Sequence, residues 1–162
     1  MPKNTARMAP LVTQPMTPSE INELLSRALV GRLGMSRDNQ PYVLPICFIH
    51  HDGKIFFHSA PKGRKLETIK TNPKVCFQVD EHRLVPSSLP CYFTIHYRSV
   101  LVFGKVRLLT DPKEKLKILE VMLNKYGDIT KLAKPLDEAV MHKAKVEVGE
   151  ISIEEITGKK NE

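Results

Sequence analysis

The sequence predicts a mainly β (α+β) fold: a small antiparallel barrel with peripheral helices. Three observations carry that reading. Short apolar stretches rich in β-branched residues recur along the chain between turn residues. Two longer segments space their apolar residues at helical intervals instead. About six or seven antiparallel strands in one small chain also need their edges removed, which closure into a barrel achieves. With 162 residues, 41% of them hydrophobic, the chain can bury one core. Residues 17–162 therefore read as a single domain behind an N-terminal arm at 1–16, where Pro2, Pro10 and Pro15 interrupt any periodicity.

The elements follow in order. Thr17-Pro18-Ser19-Glu20 is a capping box with proline at the first helical position, and Ile21, Leu24, Leu25, Ala28 and Leu29 then fall on one helix face. Gly31–Ser36 reads as a strand, Arg37–Gln40 as a turn, and Pro41–His50 as a long strand apolar enough to be buried on both faces. Asp52-Gly53 signals a tight hairpin into a strand at Lys54–Phe57. Gly63–Thr71 is a short helix with Leu66 and Ile69 turned inward, stopped by Asn72-Pro73. Lys74–Asp80 is again a strand and Arg83–Pro90 a loop. Cys91–Tyr97 and Ser99–Leu109 are two further β stretches, the second with Gly104 marking a bulge or a close backbone approach. Asp111-Pro112-Lys113-Glu114 opens a longer helix carrying Leu116, Leu119, Met122, Leu123 and Tyr126 and ending at Gly127. Leu136–His142 reads as a short helix, and Ala144–Ile156 as the closing strand.

Charge and cysteine usage narrow the function. The net charge is +7, but it is local. Lys62, Arg64, Lys65, Lys70 and Lys74 stand against Glu67 alone, whereas the last sixteen residues are acidic on balance. With no Trp, no helix-turn-helix pattern and no RNA-binding aromatic signature, a nucleic-acid partner is not expected. No stretch has the apolar length of a membrane span and the N-terminus does not resemble a secretory signal, so no membrane partner and a cytoplasmic location are expected. Cys47, Cys76 and Cys91 include no C-x-x-C pair and read as reduced core residues, with no metal site. His50 and His51 read as exposed turn residues pointing to opposite faces, unable to share a metal ion.

The chemistry concentrates where a strand hands over to a helix. His58, Ser59, Lys62, Gly63, Arg64 and Lys65 fall together there, so backbone N–H groups, a hydroxyl and fixed cations could converge on one anion. The plainer alternatives are that Arg64 and Lys65 form the solvated face of a short helix and that His58 is a strand-end histidine bonded to backbone.

Several segments, in their order and spacing, resemble a known family. They are Gly31-Arg32-Leu33-Gly34, Pro41-Tyr42-Val43-Leu44-Pro45-Ile46, Phe57-His58-Ser59-Ala60 with Gly63-Arg64-Lys65, Asn72-Pro73-Lys74-Val75-Cys76-Phe77, Tyr97-Arg98-Ser99-Val100 with Gly104, and Glu154-Glu155-Ile156-Thr157-Gly158-Lys159. Together they resemble the FMN-binding split barrels of the pyridoxamine 5′-phosphate oxidase-like superfamily, most closely the group related to nitroimidazole-resistance proteins. The resemblance implies a homodimer with FMN at the subunit interface. Val43, Leu44, Pro45 and Ile46 would border the isoalloxazine ring. His58, Ser59, Gly63, Arg64 and Lys65 would form the phosphate and ribityl side, and Arg98 and Ser99 would approach from the later strands. His58 is the catalytic candidate. Some relatives bind haem, for which His58 or His96 would have to serve as ligand. The C-terminal Trp- and Arg-bearing segment of true pyridoxamine phosphate oxidases has no counterpart here, so vitamin B6 oxidation is not expected. The expected function is an oxidoreductase passing electrons between bound FMN and a small-molecule acceptor such as a nitroaromatic. The alternative is a flavin- or haem-binding carrier or sensor without turnover.

Overall fold

Turn residues with left-handed backbones set the first strand pairings. The computed structural model describes residues 13–86, 94–127, 136–137, 139, 143 and 145–161. In chain order these form β1 (Gln14–Pro15), α1 (Pro18–Arg27), β2 (Val30–Arg37), β3 (Gln40–His51), β4 (Lys54–Ser59), α2 (Arg64–Thr71), β5 (Lys74–Val85), β6 (Thr94–Leu108), α3 (Pro112–Tyr126) and β7 (Glu147–Asn161). Asp38 and Asn39 join β2 to β3 with φ of 52° and 60°, and Asp52 and Gly53 join β3 to β4 with φ of 48° and 70°. Two successive positive φ values match the right-handed twist of the flanking strands.

All strand pairings are antiparallel. The order β7-β4-β3-β2-β5-β6 closes on itself because β6 also pairs with β7, and β1 extends the sheet at the far end of β7. The result is the antiparallel barrel with peripheral helices that the sequence predicts. Its interior is filled by alternate residues of the six strands β2–β7, among them Leu33, Ile46, Phe48, Ile55, Phe57, Phe77, Val79, Val100, Val102 and Ile151. Leu24 and Leu25 of α1 and Ile69 of α2 join this core. A second cluster lies outside the barrel, where Ile118 and Met122 of α3 cover Ile49, Phe56 and Val148.

The helices are fastened by specific contacts. Thr17 Oγ1 accepts from the Glu20 N–H at 3.3 Å, and the Glu20 carboxylate accepts from the Thr17 N–H at 2.7 Å, completing the capping box. Lys160 of β7 also pairs with Glu20 and so ties α1 to the closing strand. At the end of α3, the Tyr126 hydroxyl donates to the Leu29 carbonyl at 2.6 Å and accepts from the Phe48 N–H at 2.7 Å. Across the closing seam, Glu150 of β7 is 4% exposed and receives Lys54 from β4 at 3.1 Å and Arg107 from β6 at 2.7 Å. Burial pushes the Glu150 carboxyl up, but these hydrogen bonds reverse that and hold it below its ordinary range.

Several expectations change. The loop expected from Arg83 begins later, because β5 continues to Val85 opposite Thr94 of β6. The two stretches around Arg98 are one strand, since Tyr97, Arg98 and Ser99 pair with β5 on one side and β7 on the other. The closing strand starts at Glu147 and runs to Asn161, beyond Ile156. Cys47 is exposed on the outer face of β3 and Cys76 is half-buried, so neither is a core residue; Cys91 lies outside the described residues. His50 and His51 are half-buried rather than exposed. Residues 1–12 of the arm lie outside the described residues, whereas Gln14 and Pro15 pair with β7 and Met16 is buried. The expected helix at Leu136–His142 falls largely outside the described residues. Among those described, no helix is long and apolar enough to cross a membrane.

Gly104 is where the barrel closes most tightly. The β6–β7 register shifts between Phe103 and Gly104, and a Cβ on Gly104 would lie 1.9 Å from the Ser152 carbonyl oxygen. Backbone has to move to accept it. Gly104→Ala is therefore expected to destabilise the fold by at least about 2 kcal/mol, at the upper end of overpacking penalties, read from the midpoint of urea unfolding. The Glu20 carboxyl is held down to about 2 by the hydrogen bond from Lys160 and then by the Thr17 N–H. Its folded-state value is depressed, so its contribution to stability is complete above its ordinary 4.5 and lost as pH falls toward 2. Glu20→Gln should flatten that part of the stability–pH curve.

Candidate functional site

The candidate site starts at the last two residues of β4. Ser59 continues the inward alternation of Ile55 and Phe57 and is 7% exposed, while His58 points outward at the rim. The chain then turns through Gly63, whose φ of 126° lies in the region that favours glycine, and enters α2 with no side chain capping its first turn. Lys65 Nζ stands 5.3 Å from the Phe57 ring centroid. Burial lowers its pKa, and burial together with the Lys65 charge lowers that of His58. Hence His58 is neutral at pH 7, and the fixed positive charge beside it belongs to Lys65.

Many of the cations are engaged in ion pairs, although Lys62, Lys70, Lys74, Lys113 and Lys159, like this corner, have no carboxylate partner among the described residues. Arg27, Arg32, Arg107, Lys54, Lys105, Lys115 and Lys160 all pair with carboxylates. Among the described residues, Arg64 and Lys65 have aromatic neighbours only: Arg64 lies 4.6 Å over the Tyr42 ring and Lys65 beside Phe57. Ser59, 7% exposed as a residue, precedes them at the end of β4. A part-buried ammonium, an exposed guanidinium and a hydroxyl beside the exposed first turn of a helix are donors of the kind a phosphate takes. These residues thus fit a phosphorylated cofactor.

The remaining expected residues divide by strand face. Val43 and Pro45 project from the outer face of β3, with Val43 63% exposed, while Leu44 and Ile46 turn into the barrel. A planar ligand along this strand would meet the first pair by side chain and the second by backbone alone. Ser99 shares the outer face with Pro45, three strands across and two residues along β6, or about 16 Å away. Its hydroxyl is 3.5 Å from Gln78 Nε2, within a polar group that includes Arg32 and Asp80. Arg98 is on the opposite face, 3.9 Å from Glu23 and 3.8 Å from Glu81. It pairs with Lys160 at the end of β7, whereas His58 pairs with Val148 at its start. That is about 40 Å along the strand, so one chain does not bring Arg98 to His58. His96 sits beside Arg98, its Nδ1 3.4 Å from Arg83 Nη2, in an open pocket of about 490 Å³ lined by Glu81, His82, Arg83, His96, Tyr97 and Arg98.

The family model described as pyridoxamine 5′-phosphate oxidase matches residues 17–160. The chain belongs to this family. Among solved structures of similar fold, a candidate 5-nitroimidazole antibiotic resistance protein of Bacteroides thetaiotaomicron is 25% identical, with a TM-score of 0.77 over 92% of this chain and 87% of that one. An FAD-binding protein of Mesorhizobium loti is 26% identical, with a TM-score of 0.68 over 93% and 99%. The flavocytochrome Anf3 of Azotobacter vinelandii, at 21% identity and a TM-score of 0.78 over 93% and 69%, shares the fold. An uncharacterised protein of Rhizobium meliloti is 33% identical over 66 residues, 41% of this chain and 43% of that relative. The match thus spans under half of that curated relative. Family membership places the donors of β4 and α2 within a fold whose other members include flavin-binding proteins.

Two residues of the site escaped the sequence reading. Tyr42, which carries Arg64, and Phe57, which flanks Lys65, stood in the quoted motifs, but only strand parity shows which face each presents. The coupling between His58 and Lys65 is directly measurable. Lys65→Met removes the charge and keeps most of the stem, so the His58 pKa is expected to rise toward its ordinary 6.5. An NMR titration of the imidazole C–H resonances reads it, and an unmoved pKa would separate the two side chains.

Proposed function

We propose that the protein is a homodimeric flavin-dependent oxidoreductase that holds its cofactor by the FMN half, with the phosphate in the cradle of Ser59, Gly63, Arg64 and Lys65. One observation carries this reading: at the turn that follows the buried Ser59, the part-buried Lys65 beside Phe57 and the exposed Arg64 over Tyr42 have no carboxylate partner among the described residues. An anion held in this turn would accept from all three. The identity of the cofactor class draws on the family and on the FAD-binding relative at 26% identity.

The outer face of β3 supports the dimer. Val43, Pro45 and Cys47, with Val30 opposite Cys47 on β2, form an apolar stripe that no element of the same chain covers among the described residues. A second copy laid on this face would exclude water from a ring bordered by Val43, Leu44, Pro45 and Ile46, and would give Ser99, which shares that outer face, a route to the other subunit's cofactor; Arg98, on the opposite face with Glu23 and Glu81, has no such route. The free thiols Cys47 and Cys76 suit the reducing cytoplasm. Bound flavin supplies the electron transfer. The chain's own residues fix the phosphate, border the ring and set access for a small acceptor, of which a nitroaromatic is the class suggested by the 25%-identical relative. His58, neutral and at the rim, would act there as a hydrogen-bonding group or proton acceptor rather than as a proton donor.

The visible spectrum of the purified protein decides first: flavin bands released as FMN on denaturation support the reading, and a Soret band would put haem in its place. With flavin present, turnover of a nitroaromatic separates an oxidoreductase from a carrier that binds without reacting. Arg64→Ala combined with Lys65→Ala is expected to weaken FMN binding by about 1.5–3 kcal/mol per charged hydrogen bond lost, in fluorescence titration. Unchanged affinity would remove the cradle.

A further inference from the structure

At the end of the barrel away from the cradle, β5 and β6 run on as a two-stranded ribbon. β2 stops pairing with β5 at Gln78, so from Glu81 to Val85 the only partner of β5 is β6, from Arg98 back to Thr94. The cavity of about 490 Å³ lies on this ribbon, lined by Glu81, His82, Arg83, His96, Tyr97 and Arg98. Its size falls within the range of about 300–1,000 Å³ that holds a whole small molecule. Some 40 Å of β7, or about twelve residues, separates its Arg98 from His58, so no small ligand reaches both in one chain.

The charges around it do not balance. Strand register puts Glu81 opposite Arg98 and Arg83 opposite His96, which sets these four side chains on one face of the ribbon. α1 brings Glu23 and Arg27 alongside: Arg27 pairs with Glu81, and Arg98 stands 3.8 Å from Glu81 and 3.9 Å from Glu23. Glu23 also meets Arg27 at 3.8 Å. Three guanidinium groups thus face two carboxylates, and the surplus falls on Arg83. Its polar contact is His96 Nδ1 at 3.4 Å, and no carboxylate reaches it among the described residues. One long contact to an imidazole leaves most of the five N–H donors of its fork to solvent.

We infer that this cavity binds an aromatic monocarboxylate, whose carboxylate Arg83 takes in a two-pronged pair. The parallel N–H donors of a guanidinium match the two oxygens of a carboxylate, and one negative charge balances the one in surplus. A phosphate dianion would bring a second negative charge beside Glu81 and Glu23 and be repelled by them. His96 and Tyr97 are half-buried and line the cavity with ring-bearing side chains, which suits a planar, mostly apolar body. Binding here is independent of the cradle and of any flavin.

Benzoate is the probe, titrated into the full chain while the imidazole C–H resonances of His96 are followed by NMR. Saturable movement is expected with benzoate and none with benzamide, its neutral isostere; inorganic phosphate should bind at least about tenfold more weakly than benzoate. Arg83→Gln should weaken benzoate binding at least about tenfold at an unchanged melting temperature. Arg64→Ala combined with Lys65→Ala should leave benzoate affinity as it is, which separates this cavity from the cradle. The assignment is overturned by benzamide binding as well as benzoate, by phosphate binding as tightly, by a smaller loss in Arg83→Gln, by loss of benzoate from the cradle variant, or by no saturable movement at millimolar benzoate. Each of these leaves the flavin reading standing. Should Arg83→Gln melt early, the contrast between benzoate and benzamide on the native chain decides alone.

Discussion

The fold depends on β7 being paired along both edges. β6 runs beside it from Gly149 to Asn161, while β4 takes the other edge at its start and β1 at its end. Without that strand the remaining five form an open sheet whose two edge strands, β4 and β6, present unpaired N–H and C=O groups. Closure is also what sets the candidate site. His58 and Ser59 are the last paired residues of β4, held opposite Val148 and Glu147, and the chain leaves the barrel there to begin α2. The seam must be close for this pairing to reach so far along β7, and Gly104 allows β6 and β7 backbones to approach where any side chain would meet the Ser152 carbonyl. Glu150 crosses the same seam with Lys54 on one side and Arg107 on the other. A carboxylate that deep persists because both neighbouring strands supply it with a cation.

That arrangement also explains where positive charge is left over. The barrel uses its cations as cross-links: Lys160 to α1 through Glu20, Lys105 to Glu154 across β6 and β7, and Lys115 from α3 to Glu147. Each joins two elements. Arg64 and Lys65 join nothing of opposite charge among the described residues; Lys65 is part-buried beside Phe57, and Arg64 lies over the Tyr42 ring while remaining exposed. Cation–π contact holds them in place without neutralising them, at about 0.5–2 kcal/mol each. The site is thus prearranged: its donors are positioned by Tyr42 and Phe57 before any anion arrives, so less side-chain entropy is lost when one does.

What was legible in the sequence was local. The hairpin at Asp52-Gly53, the capping box at Thr17–Glu20 and the strand-to-helix passage from Phe57 to Lys65 are contiguous, and the residues themselves encode the turns, caps and donors. The reading failed where the outcome depended on neighbours distant in sequence. Arg83 and Arg98 look like loop residues, but β5 continues to Val85 and β6 runs unbroken through Arg98 because each has a partner strand to bond to. Cys47 looks like core and is exposed because strand parity puts it opposite Val30 on the outer face. The site divides in the same way. The 58–65 segment was readable as a unit, whereas the burial of Leu44 and Ile46, the outward position of Val43 and Pro45, and the separation of Arg98 from Ser99 follow from face alternation within a closed barrel.

β3 shows how fold and site share one strand. Its even positions, Leu44, Ile46 and Phe48, fill the barrel; its odd positions change their surroundings along its length. Ile49 is covered by α3, but Val43, Pro45 and Cys47 lie beyond the reach of that helix and stay bare. Tyr126 fixes the boundary by bonding the Phe48 backbone at the point where α3 ends. A shorter α3 would uncover Ile49, and a longer one would cover the stripe that a planar ligand or a second subunit needs. The apolar pattern of Pro41–His50, which in sequence looked like burial on both faces, is therefore a strand whose inner face serves the core and whose outer face is divided between a helix and an open site.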